Sequence, residues 1–82
     1  MASHENAAKE IAPGITVDPS VRFGRPVVKG TRVPIDIILG QLAAGLTVDT
    51  VAEEYGVSRD AVLAVLRYAA NLVASEEVRA TG

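Results

Sequence analysis

Residues 47–68, TVDTVAEEYGVSRDAVLAVLRY, decide how this chain folds. Thr47 is a helix-capping residue, and Asp49 falls in the first turn that follows, where the positive end of the helix dipole favours an acid. Val48, Val51, Ala52 and Tyr55 then share one helical face, while Glu53 and Glu54 face water. Gly56 stops the helix because it takes the left-handed backbone at no steric cost. Ser58 caps again, Asp60 suits the new start, and RDAVLAVLRYAANLVA carries a third helix to about Ala74. Ala52 is small where the two helices should cross. Val57 fills the corner, and Val62 and Val65 are expected to pack back. Two capped helices joined by three residues read as a helix-turn-helix.

Upstream, Pro34 and Asp36 suit the start of a first helix over 34–44, with Ile35, Ile38, Leu39 and Leu42 on one face and Gly45 as its stop. Gly40 in mid-helix costs about 1 kcal/mol against alanine, which predicts a close helix crossing there. Before it, ITVDP (15–19) alternates as a short strand ended by Asp18-Pro19. RFGRPVVKGTRVP (22–34) is punctuated by prolines that extend the residues before them and glycines that permit turns. It should bend near Lys29-Gly30 and return to pair with the strand. The expected fold is mainly α, a homeodomain-like three-helix bundle with a helix-turn-helix, preceded by a short N-terminal β element. Residues 1–14 read as a flexible tail, 15–74 as the domain and 75–82 as a frayed end.

Hydrophobic residues make up 49% of the 82 and aromatics 4%, so the core must be aliphatic. That much aliphatic surface on one small domain predicts burial against another subunit, in a homodimer or a hetero-oligomer. Cysteine is absent, which excludes disulfides, zinc-thiolate sites and thiol nucleophiles. No apolar run approaches a membrane span and MASHENAAKE lacks a signal-peptide core, so a cytoplasmic location is expected, with no membrane partner.

No enzyme is expected, and no cofactor. The single histidine, His4, lies in the tail, and Asp36, Asp49 and Asp60 stand where helix starts call for negative charge. None of these has metal-ligand or acid–base spacing. GRPVVKGT looks superficially like a phosphate loop, but its flanking prolines and missing strand-to-helix context exclude that. Tyr55 and Tyr68 are at core spacing.

Charge is distributed unevenly. The net charge is −2, yet Pro19 to Ile35 holds Arg22, Arg25, Lys29 and Arg32 and no acid; setting that +4 aside leaves −6 for the remainder. On the helices, Ser58, Arg59 and Arg67 are the candidates for DNA contact. Apolar residues fill the interval between Asp60 and Arg67, more than one three-helix core can cover, so Leu63 and its neighbours should meet a second surface.

Residues 15–73 resemble a widespread small prokaryotic domain, catalogued as a family of unknown function. The resemblance rests on the DP turn, on GRPVVKGTRVP (24–34) and on a last helix containing YAA. It implies an antitoxin of VapB type, encoded beside a PIN-like ribonuclease toxin of the Mut7-C kind, which neutralises the toxin and represses its own operon through operator DNA. The toxin-binding surface is expected within 1–74 or the short ends. PIN-like nucleases hold metal with carboxylates, so Arg22, Arg25, Lys29 or Arg32 could dock at such a mouth. The same ribbon could instead grip DNA backbone, or its charges could simply stay in water. Arg32 is the cation expected to be structural, tied to Asp18 or Asp36. Three functions therefore stand: antitoxin, free-standing helix-turn-helix regulator, and assembly module.

Overall fold

The computed structural model describes residues 8–76. Three short strands precede three helices: β1 (Lys9–Ala12), β2 (Ile15–Val17), β3 (Val27–Val28), α1 (Ile35–Ala43), α2 (Val48–Tyr55) and α3 (Arg59–Ser75). The chain is thus mostly helical, with an antiparallel sheet in the order β1-β2-β3.

The sheet is wider than the sequence suggests. Lys9–Ala12, read above as tail, is an edge strand paired Lys9 with Val17 and Glu10 with Thr16, and a bulge lies between Glu10 and Ala12. Pro13-Gly14 makes the turn rather than ending a tail. Gly14 has φ +83°, and a Cβ there would stand 3.1 Å from the Cβ of Ala64 on α3. Glycine therefore serves two ends at once: the left-handed turn and the approach of the hairpin to the helix. His4 and residues 77–82 lie outside the described residues.

β3 returns onto β2 as expected, with Ile15 opposite Val28 and Thr16 opposite Val27. The expected bend at Lys29-Gly30 follows β3 and folds Val33-Pro34 back along it: the Thr31 N–H donates to Val28 O at 2.9 Å, the Val28 N–H donates to Val33 O at 3.0 Å, and Gly30 is left-handed. The Thr31 hydroxyl also donates to Val28 O and accepts from Val33 N–H, locking the turn from inside.

The helix boundaries follow from local chemistry. Thr47 Oγ1 accepts from Thr50 N–H at 3.1 Å and Ser58 Oγ from Ala61 N–H at 3.0 Å, each cap contributing about 1 kcal/mol. At the end of α2, Gly56 is left-handed, and the Val57 N–H reaches back to Ala52 O at 3.0 Å, closing the carbonyls that a helix end leaves open. Ile15, Val28, Ile35, Ile38, Val51, Ala52, Val62 and Val65 form one buried cluster with no aromatic among them. Leu39, Leu42, Val48, Tyr55 and Val57 pack around it.

One helix expectation is corrected. Gly40 is exposed and a Cβ on it would meet nothing within 4 Å, so no helix crosses there. Ala52 of α2 and Val62 and Val65 of α3 are instead the small and branched residues buried in the shared core. Beyond the core, α3 continues with Leu72 and Val73 uncovered, at 50% and 65% exposure.

Candidate functional site

The basic segment forms a looped shelf at the start of α1. It opens on Asp18, whose Oδ1 accepts from the Ser20 N–H at 2.9 Å and from the Ser20 hydroxyl at 2.7 Å. Those two bonds, hydroxyl first, hold the Asp18 carboxyl below its ordinary value, and the charge of Arg32 lowers it a little further. Val21 N–H donates back to Asp18 O, Gly24 N–H to Val21 O and Arg25 N–H to Arg22 O, so the tip is one tight turn. Its hand is unusual. Arg22, Phe23 and Gly24 have φ of +53°, +57° and +82°, so two side-chain-bearing residues lie in the left-handed region. Each costs about 1–2 kcal/mol relative to ordinary backbone. The Arg22 Nε donates to Arg32 O at 3.2 Å and fastens the tip to the strand leading into α1. Ile35 N–H donates to Pro26 O at 3.1 Å, closing the shelf against the helix start.

The four cations do not stand alike. Arg25 pairs with Asp36 in the first turn of α1, and Lys29 Nζ lies 3.1 Å from Glu10 Oε1 on β1. Glu10 also accepts from Gly14 N–H at 2.9 Å; that bond, with Lys29 second, holds its carboxyl below the usual range. Both ion pairs are more than a third exposed on each side, a setting in which a pair contributes about 0–1 kcal/mol and exchanges readily. The expectation that Arg32 would be tied to Asp36 or Asp18 is corrected: Asp36 holds Arg25, and Arg32 makes no ion pair among the described residues. Asp36 in the first turn of α1 takes Arg25, eleven residues earlier in the segment before β3, whereas Arg32 offers its carbonyl to Arg22.

The candidates on the helices are split. Ser58 is occupied as a cap, and Arg59 Nη1 lies 2.6 Å from Asp49 Oδ1 across the corner between α2 and α3. With Asp60 next to it, the exposed start of α3 is not a cationic surface. Arg67 stands two turns further on, about 12 Å along the axis, where it lines a shallow hollow with Ala12, Pro13, Ala64, Tyr68 and Asn71. Ser58 and Arg59 therefore share one end of α3, while Arg67 faces the β1–β2 turn. Gln41 Nε2 donates to the Tyr55 hydroxyl at 3.0 Å, and the Tyr55 and Tyr68 rings pack against the core, the role their spacing predicts. Among the described residues no group of three or more His, Asp or Glu could hold a metal ion, and no helix is long and apolar enough to cross a membrane.

Sequence reasoning passed over Phe23, which is 98% exposed at the tip of the shelf. Its signal was present: Phe23 is the only phenylalanine, it is flanked by Arg22 and Gly24, and no helical or strand period includes it. Glu10 was also missed, because it was assigned to the tail.

A family model described as "Protein of unknown function (DUF433)" matches residues 15–69. The "Putative antitoxin VapB45" of Mycobacterium tuberculosis is 41% identical over 46 residues, 56% of this chain and 19% of that protein. The X-ray crystal structure of Rv2018 from Mycobacterium tuberculosis superposes with a TM-score of 0.68 at 30% identity, over 80% of this chain and 34% of that one. The chain thus spans about a fifth to a third of the length of these relatives.

Proposed function

The chain belongs to the DUF433 family, and from that premise we propose that it is the antitoxin of a type II toxin–antitoxin pair. It binds a PIN-like ribonuclease directly and represses its own operon through DNA. The observation that carries this reading is the 41% identity to the "Putative antitoxin VapB45", and Arg22, Arg25, Lys29 and Arg32 stand exposed on the segment that leads into α1. The chemistry is exchange of partners. Arg25 and Lys29 leave solvent-exposed carboxylates of their own chain for carboxylates on the ribonuclease, at little cost, because exposed pairs are weak. Arg22 and Arg32, which make no ion pair among the described residues, add their charge to it. A metal-binding nuclease mouth gathers carboxylates, so four cations on a shelf are complementary to it.

Operator binding would use α2, the Gly56 corner and α3 as a helix-turn-helix, with Ser58, Arg59 and Arg67 toward DNA. Arg59 must then exchange Asp49 for a phosphate. Asp49 and Asp60 oppose close approach of the backbone, so this arm of the reading calls for a dimer that doubles the contacts. The exposed Leu72 and Val73 on α3 favour such pairing. A free-standing regulator without a toxin is the second reading, favoured by the two capped helices around Gly56.

Co-expression with the reading frame beside the gene tests the proposal. A stoichiometric complex with a PIN-like ribonuclease, and loss of ribonuclease activity in it, are expected. Recovery of the chain alone, together with steeply salt-dependent binding to upstream DNA, would move the assignment to the regulator; each phosphate neutralised adds about 0.9 to the log–log salt slope.

A further inference from the structure

The turn at 22–24 takes a backbone cost for which the Phe23 ring gains no burial among the described residues. Phe23 buries almost none of its ring, at 98% exposure, although the chain has few aromatics and an aliphatic core that could have used one. Its left-handed backbone is nevertheless over-determined. The Asp18–Ser20 bonds, the successive turn hydrogen bonds and the Arg22 Nε–Arg32 O bond all fasten the tip. A strained, exposed, well-fastened aromatic points to a function outside the fold. We infer that Phe23 is a pre-formed anchor that inserts into an apolar pocket of a protein partner, with Arg22 and Arg32, which make no ion pair among the described residues, meeting carboxylates on the pocket rim. The inference rests on the antitoxin reading and says where on the chain the ribonuclease is held.

Two features favour this. A ring on a fastened tip loses little freedom on binding, and buried aromatics carry a large share of interface affinity. The ring also stands alone, since Phe23 is the one exposed aromatic among the described residues. A single-stranded nucleic acid would require more stacking rings. The other aromatics are Tyr55 and Tyr68, both partly covered on the helices.

The test is calorimetric titration of the whole chain with the ribonuclease encoded beside its gene. Phe23→Ala should weaken binding by about 30-fold or more, the range of an anchoring residue. Its thermal unfolding should match the parent's or lie above it, which separates lost contact from lost fold. Phe23→Trp should keep affinity within a few-fold, as a larger ring on the same tip. Equal affinity of Phe23→Ala and parent would overturn the anchor and leave the antitoxin reading standing. If the parent chain does not bind the ribonuclease, that reading falls and the anchor with it. Ribonuclease binding unchanged by Phe23→Ala while single-stranded RNA binding drops would overturn the protein pocket in favour of base stacking.

Discussion

Replacing Phe23 by glycine should stabilise this protein, although the same change in a core would remove about 3–5 kcal/mol or more. The ring is 98% exposed, so truncating it returns almost no apolar area to water. What changes is the backbone term. A side-chain-bearing residue at φ +57° gives up about 1–2 kcal/mol that glycine does not. Against this, glycine adds freedom to the unfolded chain at a cost of about 0.5–1 kcal/mol. The balance is a gain of about 0.5–1 kcal/mol, which for a domain of this size raises the unfolding midpoint by roughly 3–6 °C. Thermal and urea unfolding followed by circular dichroism, at two protein concentrations, measure the midpoint and the free energy. Phe23→Ala serves as the control: it keeps the left-handed penalty and should leave stability unchanged within about 0.5 kcal/mol. A loss of more than about 1 kcal/mol for Phe23→Gly would refute the reasoning, because it would mean the ring is packed in solution. A loss seen only at the higher concentration would place that packing between copies of the chain.

Other perturbations test the fold and the shelf. Ile38→Ala empties a fully buried position on α1 and should cost about 2–5 kcal/mol by the same unfolding assay, a large part of what so small a domain possesses. Gly56→Ala should cost about 1–2 kcal/mol from backbone strain alone, since its Cβ meets open space; Gly14→Ala should cost more, because Ala64 stands 3.1 Å from the new Cβ. The Glu10 carboxyl is lowered in the folded state, so its contribution is complete above its unfolded pKa near 4.5 and disappears as pH falls through the lower folded value. Melting curves of the parent and Glu10→Gln should therefore differ at pH 7 and converge in acid; a constant difference at all pH values would contradict the assigned bonds to Gly14 and Lys29. The triple variant Arg25→Ala, Lys29→Ala and Arg32→Ala removes two exposed ion pairs, each about 0–1 kcal/mol, and should weaken the ribonuclease complex while the bundle stays folded.

What the chain decides by itself are the features whose partners lie within a turn of helix or one hairpin. Thr47 and Ser58 cap helices through N–H groups three residues on, and Gly56 ends α2 with bonds to carbonyls a few residues back. Such interactions are written in spacing, which is why helix starts and stops were legible to within a residue or so. So was the return of Val27-Val28 onto Ile15-Thr16, since two prolines and a glycine fix where an apolar stretch can run straight. Four features came only with the tertiary structure. Lys9–Ala12 is a strand because β2 offers it an edge; alone, four residues next to a polar run have no reason to order. Gly40 faces open space because α2 and α3 meet α1 elsewhere around its axis. Asp36 takes Arg25 and Glu10 takes Lys29, across eleven and nineteen residues, because ion pairs depend on where the chain returns and not on which charges are near in sequence. Phe23 is outside rather than in the core because three successive left-handed residues turn the chain away from the bundle, a conformation no local preference of Arg or Phe would choose.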